Sequence, residues 1–384
     1  MKFKKRIKAL AKNVYMRFCY YTASSHTKTV FFNSFNGQYS DNPRAISEYL
    51  HEIAPEIGQV WVLPYHVSAP NYIRKVKPRS AQAFKAMARA SVWVMNCGYG
   101  VNDGIYKGKS IFYIQTWHGD RGFKRIGYSA AEAMGRKYKD YDDLPDMHAC
   151  DLCVSASEFG EMVYNKSMRY SGEILKEGSP RNDKLLHVVN YANEADRIRK
   201  SLGIDKGDKI LLYAPTFRDY NRTNQACSID LSQTLGALRQ NGEQWICLIR
   251  SHSEAKSLRV NQTDAEYIDV SAYSDMADLL LIADLLITDY SSCAPDFVLT
   301  ERPVVLTLFD EEEYKNQMRA LWFEPEEAGF LVARQQEELN NILRKLYTYD
   351  HRKIADAVNK YYKVYETGTA TRSLCQIIIE KTNK

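Results

Sequence analysis

The sequence predicts an α/β protein made of two consecutive doubly wound, Rossmann-like units. Three observations carry that reading. At 384 residues the chain is too long for one ordinary core. Short β-rich runs alternate with amphipathic helical patterns, and the runs are continuously apolar, as strands covered on both faces of a parallel sheet must be. A polar stretch, Asn190 to Lys206, carries a helix between two such alternations and reads as the linker.

In the first half, strands are expected at 29–34, 59–63, 91–95, 110–116, 151–155 and 173–177, with helices such as 43–53 and 80–89 between them. The second half repeats the pattern at 209–214, 244–249, 266–269, 284–288 and 303–308. Helices close the chain on the spacing of Leu339, Ile342, Leu343 and Leu346, then Ile354, Val358, Tyr361 and Val364. The expected divisions are an N-terminal helix over 1–21, a first domain over 22–190, a second over 191–350, and a final helix over 351–384 that packs back toward the first.

With 45% hydrophobic and 26% charged residues, the composition excludes disordered and fibrous classes. Net charge is +5, but seven of the 52 basic side chains (Lys2, Lys4, Lys5, Arg6, Lys8, Lys12 and Arg17) fall in the first 18 residues with no acid among them. The remaining 45 meet 47 acids, so basicity is local and a nucleic-acid partner is not expected. In the same segment Phe3, Ile7, Leu10, Val14 and Phe18 gather on one side of a helix. Such a helix either lies on an anionic membrane surface or packs on its own domain. Lys8 and Lys12 interrupt the apolar residues, so it does not read as a signal peptide, and no apolar run is long enough to span a bilayer. Eight scattered cysteines read as reduced core residues of a cytoplasmic protein, and Cys150 and Cys153, the one close pair, lack partners at metal-ligand spacing.

Polar residues cluster just after expected strands, where α/β sheets bind ligands. His118-Gly119 follows 110–116, with Arg121, Lys124 and Arg125 close behind. A histidine there is either structural or a general base. Gly178-Ser179-Pro180-Arg181-Asn182-Asp183 follows 173–177, and Pro215-Thr216-Phe217-Arg218-Asp219 follows 209–214. Arg250-Ser251-His252 follows 244–249, and Asp289-Tyr290-Ser291-Ser292 follows 284–288. The hydroxyl turn either caps the helix expected over 294–300 or holds a phosphate. Five such endings point to a cleft between the domains that binds an anion.

These motifs resemble the CDP-glycerol glycerophosphotransferases, the teichoic-acid primases and polymerases that include ribitol-phosphate transferases. The resemblance rests on Gln115-Thr116-Trp117-His118-Gly119, on the strand-end motifs of 178–183, 213–218 and 250–252, on 284–292 with Asp296-Phe297 and Arg302-Pro303, and on Ser40-Asp41-Asn42-Pro43-Arg44. It implies a GT-B architecture, two Rossmann-like domains facing across a cleft with crossover helices at the end. It further implies that His118 is the base for the acceptor hydroxyl, that His252 and Arg250 bind the donor diphosphate, and that Thr288, Ser291 and Ser292 hold phosphate oxygens. Arg181 and Arg218 would be further phosphate or nucleotide contacts.

The expected reaction moves an alditol phosphate from CDP-glycerol, or alternatively CDP-ribitol, to a hydroxyl on a lipid-linked acceptor at the cytoplasmic face of the membrane. A chain of this length suits a primase-like or single transfer. A nucleotide-sugar glycosyltransferase and a non-catalytic membrane-surface protein are the competing readings. No carboxylate pair near the hydroxyl turn calls for a divalent metal, and no cofactor is expected. The sequence leaves open whether the enzyme works as a homo-oligomer. Two departures from the family pattern stand out: Asp120-Arg121-Gly122 replaces a small residue and proline after His118-Gly119, and Ser253 replaces proline after His252.

Overall fold

A computed structural model describes residues 2–23, 27–98, 105–137, 147–216, 218, 229–240, 242–251 and 267–383. The chain divides into two units. The first comprises Met1–Asp120, Tyr141–Asp183 and Tyr365–Lys384, and the second Arg121–Asp140 and Lys184–Val364.

The first unit is built on a parallel sheet of seven strands, β1 (Thr27–Asn33), β2 (Gly58–Val62), β3 (Ile73–Val76), β4 (Ala90–Met95), β5 (Phe112–Gln115), β6 (Leu152–Ser155) and β7 (Glu173–Lys176). Their order is β3-β2-β1-β4-β5-β6-β7, so the winding reverses between β1 and β4. Alternation along β1 divides the core: Val30 and Phe32 pack on one face with Trp61, and Phe31 on the other with Trp93 and Met95. The second unit holds six parallel strands, β8 (Lys209–Ala214), β9 (Trp245–Ile249), β10 (Tyr267–Asp269), β11 (Leu285–Thr288), β12 (Val304–Thr307) and β13 (Leu331–Ala333). Their order, β10-β9-β8-β11-β12-β13, reverses between β8 and β11. Both expected doubly wound units are present. The sequence reading lacks only β3 and β13, each at a sheet edge.

Four boundaries differ from the sequence expectation, the first being that the division falls after Asp183 rather than at 190, so that the expected linker 190–206 lies within the second unit. The N-terminal helix α1 (Lys2–Tyr21) is no separate appendage, because Met16 and Cys19 are buried in the first unit's core beside α3 (Ala81–Arg89). Tyr20 lies so close over Gly108 that a Cβ there would overlap its ring, and its hydroxyl meets Ser110 Oγ at 2.8 Å. The opposite side of α1 remains apolar and open, with Ile7 52%, Leu10 66%, Val14 58% and Phe18 64% exposed. The segment after Asp120 belongs to the second unit, where Phe123 packs on Phe323 and Phe330. Of the terminal helices, His351–Tyr362 belongs to the second unit and only Ala370–Thr382 to the first, burying Leu374, Cys375 and Ile378. No described helix is long and apolar enough to cross a membrane.

Candidate active site

In each sheet the chemically distinctive residues follow the two strands that flank the reversal point, where ligands bind in doubly wound sheets. In the first unit β1 leads into Ser34-Phe35-Asn36, β4 into Asn96, and neighbouring β5 into Trp117-His118. Asn96 is fully buried, and its carbonyl oxygen lies 2.6 Å from His118 Nδ1. A carbonyl only accepts, so Nδ1 carries the proton and Nε2 is the basic nitrogen of the neutral ring. Trp117 packs at 4.1 Å from the imidazole and Phe35 meets it edge-on at 5.0 Å. Trp117 has φ +50°, a left-handed value that costs a bulky residue about 1 kcal/mol or more. Its N–H donates to Gln115 Oε1 at 2.9 Å and its carbonyl accepts from Asn42 Nδ2 at 3.0 Å, which hold the turn in place.

Asn42 links this turn to the next motif by accepting from the Arg181 N–H at 3.0 Å. Arg181 is buried and paired with Asp41, Nη1 lying 3.4 Å from Oδ1. The rest of that motif does structural work: Asn182 donates to Glu366 at 2.7 Å, and Asp183 accepts from the Thr371 N–H at 2.8 Å, capping the last helix. Gly178, at φ +103°, lies against Glu366, where a side chain would collide. The departure residue Asp120 is also structural. It is buried and accepts from the Ala156 N–H at 2.8 Å.

In the second unit, β8 leads into Thr216 and β11 into Asp289-Tyr290-Ser291-Ser292. Asp289 is buried and accepts from the Thr216 N–H at 2.9 Å, from the Thr216 hydroxyl, and from Arg218 Nη2 at 2.9 Å. Arg218 is itself buried, bonded to Asp310 through Nε at 2.7 Å and Nη2 at 3.0 Å, and donates through Nη1 to Thr216 O at 2.7 Å. It stacks beside Tyr290 and Tyr314, 5.1 and 4.7 Å from their ring centres. With its guanidinium committed to two carboxylates, Arg218 acts as a brace for the turn rather than the expected phosphate contact. Thr288 is corrected in the same way. Its hydroxyl is buried and donates to Ala214 O at 2.6 Å, tying β11 to β8.

Ser291 and Ser292 are half-buried at the start of the helix Cys293–Phe297. Ser292 occupies the capping position without making a side-chain cap bond, and Ser291 Oγ accepts a long 3.4 Å bond from the Cys293 N–H. Capping therefore does not account for the pair. The expected helix over 294–300 is a single α-turn, Cys293–Phe297, that continues into the 3-10 segment Val298–Thr300, so its dipole adds little beside the hydroxyls. Burial pushes the Cys293 thiol up to about 11, which keeps it uncharged beside them.

The structure adds cations that the sequence reading left without a role. Lys124 bridges to Leu321 in an antiparallel pair, beside Arg125, whose N–H donates to Ala320 O at 2.9 Å. Burial first, then Arg319, pulls the Lys124 pKa down to about 8, with Asp289 opposing and Arg218 adding to the repulsion. Lys124 thus belongs to the same electrostatic cluster as the hydroxyl turn. Arg121, the second departure residue, is buried at 2.7 Å from Asp296. Arg250 is half-buried and donates through Nη2 to Tyr273 O at 3.3 Å, and Ser251 is fixed to Ser271, with 2.7 Å between hydroxyls. His252 lies outside the described residues. Among the described residues, no three His, Cys, Asp or Glu side chains gather as metal ligands.

Two parallel α/β units with an imidazole near one reversal point, and serines with a lysine at the other, fit an enzyme of group transfer. The sequence model of the family described as CDP-Glycerol:Poly(glycerophosphate) glycerophosphotransferase matches residues 15–380, and the chain belongs to that family. It is 31% identical over 387 residues to a teichoic acid glycerol-phosphate transferase of Staphylococcus aureus (strain NCTC 8325 / PS 47), covering 97% of this chain and 98% of the relative. A teichoic acid poly(glycerol phosphate) polymerase of Bacillus subtilis (strain 168) is 34% identical over 330 residues, which span 82% of this chain but 43% of the polymerase. The solved structure of the wall teichoic acid polymerase TagF superposes with a TM-score of 0.81 at 26% identity, covering 99% of this chain and 98% of that one. A variant of the same polymerase soaked with CDPG matches with the same score of 0.81. The protein is accordingly a glycerophosphotransferase-type enzyme of the teichoic acid family.

Proposed function

We propose that the enzyme transfers glycerol phosphate from CDP-glycerol to a hydroxyl of a lipid-linked saccharide or growing polymer, releasing CMP. The observation that carries this reading is the Asn96 carbonyl on His118 Nδ1, which leaves Nε2 as the base. Nε2 takes the acceptor hydroxyl's proton as the oxygen bonds to the phosphorus nearest glycerol. The bond from that phosphorus to the bridging oxygen breaks, and its electron pair leaves with CMP. Charge spreads over the phosphoryl oxygens, so fixed donors and cations supply most of the stabilisation. Ser291, Ser292, Lys124, Arg250 and His252 are assigned to the donor phosphates, with no cofactor or divalent metal in the step.

A glycerol donor and a single, primase-like transfer are favoured by the near full-length match to a relative named a glycerol-phosphate transferase. The open stripe of Ile7, Leu10, Val14 and Phe18 on α1, among the N-terminal basic residues, supports peripheral binding to an anionic cytoplasmic leaflet. The deciding assay is nucleotide release with CDP-glycerol, CDP-ribitol and UDP-sugars, with lipid-linked acceptor present. CMP from CDP-glycerol is expected. Faster release from CDP-ribitol would reassign the alditol, and UDP release with sugar transfer would overturn the reaction class.

A further inference from the structure

Phe35 stands at the reversal point of the first sheet in a conformation that backbone preference disfavours. It begins a run of three positive φ values, Phe35 +44°, Asn36 +58° and Gly37 +143°, and the left-handed region is strained for a bulky side chain. Its side chain nevertheless stays 37% exposed and rests edge-on against His118 at 5.0 Å.

One buried residue holds both ring and base. Asn96 accepts from the Phe35 N–H through Oδ1 at 3.0 Å, donates to Ser34 Oγ through Nδ2 at 3.1 Å, and accepts from His118 Nδ1 through its main-chain oxygen at 2.6 Å. Ser34 Oγ in turn lies 3.3 Å from Ser40 Oγ, which ties the loop to the start of α2 (Asp41–Ile53). The position of Phe35 relative to Nε2 is therefore set by a buried polar network, not by the loop alone.

We propose that Phe35 is an acceptor-binding residue, whose exposed ring packs against the C–H face of a sugar or polyol unit and directs that unit's hydroxyl to His118. The proposal rests on the reading of His118 as the base. An aromatic ring suits this ligand because a polyol has an apolar face between its hydroxyls, and a rigid ring orients it without competing for the proton. The backbone strain is the cost of holding the ring in water beside the base.

The test uses the full-length enzyme with CDP-glycerol and water-soluble acceptors, a disaccharide on a short alkyl diphosphate ending in either a sugar hydroxyl or glycerol phosphate. Phe35→Ala should raise the acceptor KM about fivefold, with kcat at saturating acceptor and CDP affinity little changed. Phe35→Tyr should restore KM to near the wild-type value. Phe35→Gly should show the same KM defect with no loss of melting temperature, because glycine accepts the positive φ. A defect with one acceptor alone identifies the unit that rides on the ring. Unchanged KM with both acceptors overturns the proposal, as does a fall in kcat alone with a displaced pH profile, which would mean that Phe35 acts only by orienting His118. His118→Ala run in parallel keeps the two ideas apart: wild-type turnover in that variant removes the base assignment, whereas the Phe35 proposal is decided by the KM series.

Discussion

Lys124 provides a test in which stability and binding move in opposite directions. Its pKa falls from 10.5 to about 8, chiefly through burial and then through Arg319. A shift of that size corresponds to about 3 kcal/mol lost by the folded protein whenever the ammonium is charged. Because the folded pKa lies below the unfolded one, both states are protonated below it and the folded state bears the whole cost. Between the two values the unfolded chain binds more protons, so stability rises with pH until the cost disappears near 10.5. A diphosphate reverses the preference, since it favours the ammonium, raises the folded pKa, and takes up a proton when it binds. Lys124→Met keeps the packing of the stem and removes the charge. The variant should melt higher than wild type at neutral pH, by a margin that vanishes toward the unfolded pKa. It should bind CDP about tenfold more weakly, the value of a charged hydrogen bond to phosphate. Calorimetric titration with CDP slightly above pH 8, in two buffers of different ionisation enthalpy, reads the proton directly. Identical wild-type enthalpies in both buffers, or undiminished affinity in the Met variant, would refute the placement of Lys124 at the donor phosphates.

His118→Ala should abolish transfer while leaving CDP affinity largely intact by calorimetry, and a matching loss of affinity would mean that the imidazole belongs to the donor site. Ser292→Ala should weaken CDP binding about tenfold and Ser291→Ala less, because Ser291 Oγ already accepts a bond from the chain; equal and negligible effects would leave the turn structural. Arg218→Met should act on folding rather than on binding alone, costing about 3 kcal/mol or more in chemical denaturation, because Asp289 and Asp310 are left buried without their cation. Leu10→Gln with Phe18→Gln should reduce sedimentation with anionic vesicles at high salt while preserving melting temperature, since both side chains point away from the core; deletion of 1–21 would instead remove Met16 and Cys19 from the core and confound the result.

The strands at the sheet centres were legible because they are apolar on both faces, and 209–214 coincides with β8 end to end. The missing ones lie at edges. β3 reads Ile73-Arg74-Lys75-Val76, with charges on an edge that needs only one covered face, and β13 is a bare three residues. His118 was legible as a candidate because it stands just after a strand, at Trp117-His118 beyond β5. Arg181, Arg218 and Thr288 have partners that the sequence does not reveal. An arginine or threonine at a strand end looks available until its partner is known, and here the partners are Asp41, Asp310 and Ala214, all remote in sequence. Lys124 shows the reverse case, a basic residue whose importance depends on Asp289, Arg218 and Arg319, none of them near it in the chain.

The two sheets share one topology, yet their reversal points carry opposite chemistry, and that contrast argues for the division of labour. After β1 and β4 the side chains are neutral or aromatic, Ser34, Phe35 and Asn96, with a neutral-tautomer histidine fixed among them. A base must stay unprotonated to accept a proton, and a neighbouring carboxylate would favour the imidazolium instead. After β8 and β11 the carboxylate Asp289 is present, but it is buried beneath Thr216 and Arg218, so the turn above it offers hydroxyls and a lysine rather than negative charge. Such a surface suits a phosphate better than the first. If the donor bound in the first unit, its diphosphate would raise the basicity of His118 when a neutral base is required, and the one arginine tied to that turn, Arg181, is already paired with Asp41. This charge balance supports the proposed assignment of the acceptor hydroxyl to the first sheet and the diphosphate to the second.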